Sequence, residues 1–152
     1  MKKTILIEII SALLLLLFCY AALTKLSEYS VFVFQVSESP FKLLAKSAHW
    51  IAWLIPTLEL LVAAMLPFTK TRLWAFYGAT GLMLVFTIYI AAMLLSGLPL
   101  PCACGGIISA LHWPGHLVFN IFFLGLSIGG IFLERKNKAE INDLHAQSYS
   151  TG

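Results

Sequence analysis

Apolar residues gather in four long runs that are separated by short polar segments. The runs cover approximately residues 5–23, 50–66, 73–95 and 113–133. A helix that crosses the hydrocarbon core of a bilayer needs about 20 mostly apolar residues, and each run is close to that length. The pattern therefore predicts an all-α, polytopic membrane four-helix bundle, with residues 1–135 as its transmembrane domain.

The composition supports a membrane location. Of the 152 residues, 60% are apolar and 11% are charged, and the mean hydropathy is +0.90. An ordinary soluble domain has about 45–50% apolar and about 25% charged residues, so this chain lacks the polar residues to cover a water-exposed surface. The net charge of +3 is weak and scattered, which argues against nucleic acid as a partner and leaves membrane lipid as the expected surroundings.

The basic residues predict the orientation, because short cytoplasmic segments are enriched in Lys and Arg. With the N-terminus inside, the inner side holds seven basic residues, namely Lys2, Lys3, Lys70, Arg72, Arg135, Lys136 and Lys138. The outer side then holds three, namely Lys25, Lys42 and Lys46. We expect both termini in the cytoplasm of a bacterium, the bundle in its inner membrane, and the loop over residues 96–111 in the periplasm, where thiols can be oxidised.

Two further segments lie outside the runs. Residues 24–49 include an apolar stretch that is too short to span, so we expect this segment in the outer interface. Residues 136–152 are polar and show no apolar period, which predicts a disordered cytoplasmic tail.

The loop before the last run carries the most distinctive chemistry. Its sequence PLPCACGG places Cys102 and Cys104 between prolines and glycines, which predicts a constrained turn that presents two sulfur atoms. A disulfide between them would close a small ring and depart from relaxed geometry. Strained disulfides are more oxidising and exchange readily with thiolates. Short cysteine pairs also bind metals, so both interpretations stay open at this point.

Three polar residues follow at intervals of four, namely His112, His116 and Asn120, a spacing that stacks them on one face of the last helix. The histidines are either interfacial residues that touch headgroups and water, or a base or ligands beneath the cysteine loop.

Polar residues of all four runs fall at similar depths. By the helical rise of about 1.5 Å per residue, Cys19 and His116 lie about 6 Å from the outer ends of their helices, and Glu59, Thr87 and Asn120 about 12–14 Å. An ionisable residue at that depth usually faces the bundle interior or a cavity. Pro56 predicts a kink beside Glu59. Lys25 either extends to the surface or reaches down to Glu59.

Four pieces of the chain together resemble the MauE and DoxX-like family of small four-helix membrane proteins. They are ALTKL at 22–26, P-x-x-E at 56–59, CACGG at 102–106 and W-x-x-H-x-x-x-N at 113–120. The resemblance implies redox-associated maturation of exported proteins, since MauE proteins are linked to disulfide formation in the small subunit of methylamine dehydrogenase.

The bundle is also similar to that of vitamin K epoxide reductase-like enzymes, which pass electrons from thiols to quinone. Those enzymes use a C-x-x-C pair and often a second pair in the first outer loop. This chain has C-x-C and no cysteine between residues 24 and 49. A partner would therefore have to meet Cys102 or Cys104 directly.

Three hypotheses follow. The first is a thiol–disulfide oxidoreductase in which Cys102 and Cys104 exchange with a periplasmic thioredoxin-like or client protein, His112 or His116 takes the proton, and a quinone lies near Glu59 and Asn120. The second is a metal-handling protein that binds zinc or copper through the same two cysteines and two histidines. The third is a non-catalytic assembly factor whose loop docks a client.

Overall fold

The computed structural model describes residues 2–39, 42–96 and 113–150, which form six helices and no strand. The helices are α1 (Lys2–Ser27), α2 (Tyr29–Ser37), α3 (Lys42–Lys46), α4 (Ala48–Met65), α5 (Arg72–Ser96) and α6 (Trp113–Ser150). Of these, α1, α4, α5 and α6 are long and apolar enough to cross a membrane. The predicted all-α class is thus confirmed, and each of the four apolar runs lies in a helix that is a candidate membrane span.

The four long helices pack as a bundle. α5 packs along α6 and α1 along α4, and the two pairs join where α1 meets α6 and α4 meets α5. The core between them is apolar and includes Leu14, Phe18 and Phe76, all fully buried. The outward faces are apolar as well, with Trp50, Trp74 and many other large side chains exposed. A chain with apolar residues inside and outside fits a lipid environment.

Close approach of α5 and α6 depends on small residues. A methyl group added at Gly130 would lie 2.5 Å from the Phe76 ring, whereas one added at Gly129 would meet nothing within 4 Å. One turn from this contact, the hydroxyls of Thr80 and Ser127 lie 3.0 Å apart. Small residues and interhelical hydroxyl hydrogen bonds are typical of helix contacts within membranes.

The segment that was predicted to lie at the outer interface forms α2 and α3. α2 has nine residues, too few to cross a bilayer, and it packs against α4. The Tyr29 and Trp53 rings lie 5.9 Å apart at this contact. α2 therefore covers the end of the bundle at which α1 ends and α4 begins.

The tail differs from the expectation of disorder, since α6 continues without a break to Ser150. Its polar residues are supported by ion pairs: Lys138 lies 3.9 Å from Glu134 one turn away, and Lys3 of α1 lies 3.2 Å from Glu140. Pairs at i and i+4 stabilise helices without any apolar period. The contact of Lys3 with Glu140 also places both terminal segments at the same end of the bundle. That this end faces the cytoplasm stays a prediction.

Candidate functional site

Four buried polar residues lie near the end of the bundle where residues 97–112 connect α5 to α6. They are Lys25 of α1, Glu59 of α4, and His116 and Asn120 of α6. We call these four residues the loop-side polar layer. Sequence reasoning named Glu59, His116 and Asn120 as site candidates and left the direction of Lys25 open.

The structure shows that the Lys25 side chain reaches Glu59. Its Nζ lies 2.8 Å from Oε1 of Glu59, and the two side chains are only 10% and 1% exposed. Nζ also lies 3.4 Å from the carbonyl oxygen of Ala21, one turn back on the same helix. The side chain therefore turns into the bundle instead of extending to the surface.

Aromatic rings complete the surroundings of the ammonium group. Nζ lies 4.9 Å from the centroid of the Phe86 ring on α5 and 5.9 Å from that of Phe32 on α2. Such cation–π contacts contribute about 0.5–2 kcal/mol each, most where the cation is desolvated. Lys25 thus contacts three other helices, α2, α4 and α5, from one position.

Glu59 owes its position to the middle of α4, which runs unbroken through Pro56. Pro56 and Glu59 are three residues apart, so they share one face of the helix, and both are fully buried. Proline has no N–H, so the buried carbonyl of Ala52 lacks its usual helical donor. This weakens the hydrogen bonding of α4 one turn from the carboxylate.

The two carboxylate oxygens of Glu59 differ in their hydrogen bonding. Oε1 accepts from Lys25, while Oε2 is buried and has no hydrogen-bond partner among the described residues. Thr87, a candidate partner by depth, instead donates to the carbonyl of Met83 on its own helix at 2.7 Å. A buried acceptor without a donor costs about 1–3 kcal/mol, more when it is charged.

His116 faces the interior. It is 8% exposed, and within the described part of the chain neither Nδ1 nor Nε2 has a hydrogen-bond partner. A buried ring of this kind does not fit the interfacial interpretation, in which the ring would touch headgroups and water. Two free nitrogens instead suit a proton acceptor, a hydrogen-bond donor to a ligand, or a metal ligand.

The remaining predicted site residues, Cys102, Cys104 and His112, lie outside the described residues. The third cysteine, Cys19, is a partly buried free thiol that packs against the apolar core. Among residues 2–39, 42–96 and 113–150, no group of three His, Cys, Asp or Glu side chains could hold a metal ion. Three of the four ligands of the zinc or copper hypothesis fall in the loop, so that hypothesis stays a prediction.

Sequence reasoning missed a set of buried polar residues at the opposite end, namely Ser11, Arg72 and Glu134. Arg72 was named only as a marker of topology, and Ser11 and Glu134 were not named. Their position inside or next to apolar runs could have indicated burial, because polar residues there usually face the interior of the bundle.

The bundle, its apolar outer surface and its buried ionic layer define a multi-pass α-helical membrane protein. The family described as Methylamine utilisation protein MauE matches residues 3–133. The chain belongs to this family, as the resemblance of its motifs implied. Searches of curated proteins and of solved structures returned no match.

Proposed function

We propose that this protein is a thiol–disulfide redox protein of the bacterial inner membrane that supports disulfide formation in exported proteins. Cys102 and Cys104 exchange with a thioredoxin-like or client protein in the periplasm. The observation that carries the proposal is the buried His116, the fourth residue of the helix that follows the cysteine loop. Neither of its ring nitrogens has a hydrogen-bond partner among the described residues.

Chain connectivity supports this assignment. Residues 97–112 must leave the end of α5 and return to the start of α6, so the cysteines are tied to the end of the bundle that contains the loop-side polar layer. An imidazole near a cysteine pair can accept a thiol proton and favour the reactive thiolate. His112, which lies directly before α6, is the second candidate for this role.

The exchange reaction transfers two electrons and two protons from the client to this chain. A client thiolate attacks one sulfur of the Cys102–Cys104 disulfide, that bond breaks, and a mixed disulfide forms. The second client thiolate then attacks the mixed disulfide. The client leaves oxidised, and this chain is left with two thiols, whose regeneration requires an oxidant.

The loop-side polar layer is suited to bind a quinone, which would act as the oxidant. One ring N–H of His116 and the amide N–H₂ of Asn120 can donate hydrogen bonds to quinone carbonyl oxygens, and both side chains are buried. A bound quinone would supply the capacity to take up two electrons and two protons. The residues of this chain would hold its carbonyl groups and exclude water from it.

Trapping of the mixed disulfide tests the proposal. In Cys104→Ser, the remaining Cys102 thiolate attacks a disulfide of an oxidised partner and displaces one partner thiolate, and this chain has no second loop cysteine to resolve the mixed disulfide. Acid-quenched membranes should therefore contain a reducible complex of this chain with an exported thiol protein. Cys19→Ser/Cys104→Ser should trap equally well, because Cys19 packs in the core, and Cys102→Ser/Cys104→Ser should trap nothing. Adducts that persist in that double variant, or their absence from all variants, would contradict the proposal.

A further inference from the structure

A second polar site lies at the end of the bundle opposite the loop-side polar layer. A cavity of about 270 Å³ opens there between α1, the segment after α4 and the first residue of α5. Its polar lining consists of Glu8, Ser11 and Arg72, and its apolar lining includes Ala12, Leu15 and Leu66. We call this the Arg72 cavity. It shares no residue with the layer around Glu59.

Two polar side chains of this cavity are largely buried. Arg72 is 7% exposed, its Nε donates to the carbonyl of Leu66 at 3.3 Å, and no carboxylate of a described residue lies within 4 Å of its guanidinium. Ser11 is also 7% exposed, and its hydroxyl has no hydrogen-bond partner in the described part of the chain. Buried hydroxyls normally have partners, so the unpaired Ser11 hydroxyl in the same cavity as the Arg72 guanidinium favours a ligand with anionic oxygens.

The charged side chains that line the cavity limit the kinds of ligand that it can bind. Glu8 brings a carboxylate to its lining and is itself exposed, so the cavity carries one cationic and one anionic side chain. Glu134 does not line the cavity: its Oε1 lies 3.9 Å from Nζ of Lys138 on the same helix, and its Oε2 has no hydrogen-bond partner among the described residues. A ligand with a second negative charge would be repelled by Glu8, whereas a zwitterion satisfies both charges.

The order of the lining residues along α1 matches an amphiphile. Glu8 lies about 9 Å from the start of the helix, and Leu15 lies about 10 Å deeper. The polar end of the cavity is therefore nearest the membrane surface, and its apolar walls lie towards the hydrocarbon core. A phospholipid has the same order, with its headgroup at the interface and its acyl chains below.

We infer that the Arg72 cavity binds a phospholipid with a phosphoethanolamine headgroup from the leaflet at that end of the bundle. The guanidinium of Arg72 and the hydroxyl of Ser11 bind the phosphate, since Arg matches phosphate oxygens bidentately. The carboxylate of Glu8 binds the primary ammonium. The acyl chains lie along Ala12, Leu15 and Leu66. The inference does not depend on the proposed redox function.

Lipid binding to the purified full-length chain tests this inference. Delipidated protein in detergent is titrated with phosphatidylethanolamine and phosphatidylglycerol of identical acyl chains, and occupancy is read by native mass spectrometry. We expect one phosphatidylethanolamine per chain, bound about tenfold more tightly than phosphatidylglycerol, because one charge-assisted contact is worth about that much. Equal affinity for the two lipids would overturn the assignment.

Three variants and one control test which side chains contact the lipid headgroup. Ser11→Ala and Arg72→Gln should each weaken phosphatidylethanolamine binding about tenfold, and Glu8→Gln should remove its preference over phosphatidylglycerol. Lys70→Gln removes an exposed charge at the same end that does not line the cavity, and it should bind like the parent. If Arg72→Gln does not fold, Ser11→Ala and Glu8→Gln decide the outcome, and unchanged binding in both would overturn the inference.

Soluble phosphoethanolamine distinguishes a lipid from a small metabolite. It has the same charges but no acyl chains, so it should not displace the lipid at an equal concentration, because it gains nothing from the apolar walls. Displacement at an equal concentration would show that the cavity takes a soluble ligand and would overturn the lipid assignment.

Discussion

Nζ of Lys25 lies 2.8 Å from Oε1 of Glu59, and this buried ion pair joins α1 to α4. A charged side chain at this depth costs about 2.5–3.5 kcal/mol on insertion scales. The two charges offset each other, so neither residue can be changed independently. Glu59 is therefore a candidate ligand group and also one half of a structural contact.

The first prediction concerns this pair. Glu59→Leu should lower the stability of the protein in detergent by about 3–5 kcal/mol, because it leaves the Lys25 ammonium buried without a counter-charge. Glu59→Gln should be milder, since the amide oxygen still accepts a hydrogen bond from Lys25. Thermal or chemical unfolding followed by circular dichroism would measure the order of the two variants.

The matched control is the double variant Lys25→Met/Glu59→Leu, which removes both charges and keeps similar side-chain volumes. It should recover much of the stability that Glu59→Leu loses, since a well-packed apolar pair can replace a buried ion pair. Additive losses in the double variant would mean that the two residues do not stabilise each other.

The second prediction concerns the contact between α5 and α6. Gly130→Ala should destabilise the bundle by about 1–3 kcal/mol, because the new methyl group would overlap the buried Phe76 ring. Gly129→Ala has open space and should be neutral or stabilising by up to about 1 kcal/mol, since Ala favours the helix more than Gly does. Parallel melting curves would measure both, and an equal loss in the two variants would argue against the close approach.

The third prediction concerns topology. A membrane-impermeant thiol reagent, applied after mild reduction to cells with a permeabilised outer membrane, should label Cys102 or Cys104 in a Cys19→Ser background. A variant in which all three cysteines are Ser and Ser150→Cys is added should stay unlabelled until the inner membrane is broken. The reverse pattern would place the cysteine loop in the cytoplasm and remove the oxidising compartment on which the redox proposal depends.

The fourth prediction separates redox from metal chemistry at the loop. If the cysteines cycle as a disulfide, Cys102→Ser and Cys104→Ser should each abolish exchange. His112→Ala and His116→Ala should only slow it, because proton transfer typically contributes about 10²- to 10⁴-fold and solvent can partly replace the base. Stopped-flow exchange with a reduced thioredoxin-like protein would measure these rates.

A metal site would give a different pattern. One zinc or copper ion per chain would copurify with two reduced, protected thiols, and each histidine variant would lose metal along with the cysteine variants. Elemental analysis and a thiol count on the same preparation would distinguish the two. One metal ion per chain with two protected thiols would contradict the redox proposal.

The sequence predicted the parts of the fold that depend on apolar run length. The four runs were evident because a stretch of about 20 apolar residues is typical of a membrane-spanning helix. Glu59, His116 and Asn120 were named as candidates because polar residues are rare in such runs. Pairing was harder to predict. Lys25 has a flexible stem that reaches either the surface or the interior, and only the placement of α4 beside α1 brings Glu59 within its reach.

The charge pattern did not predict how individual charged residues are placed. The polar residues after position 135 suggested a disordered tail, whereas the structure describes helix up to Ser150, with Lys138 and Glu140 in ion pairs. Arg72 was counted with the exposed Lys70 as a topology marker, although it is buried against the carbonyl of Leu66. Neighbours in sequence can thus differ completely in burial, and single-sequence patterns do not encode that difference.

The length of α6 has a mechanical consequence. Its 38 residues give a rod of about 57 Å at the helical rise, nearly twice the hydrocarbon thickness of about 30 Å. His116 near one end and Glu140, paired with Lys3, near the other belong to one uninterrupted helix. A rotation or piston-like shift of α6 at His116 would therefore be carried as a rigid-body displacement to the opposite side of the membrane, where it would strain or break the contact with Lys3.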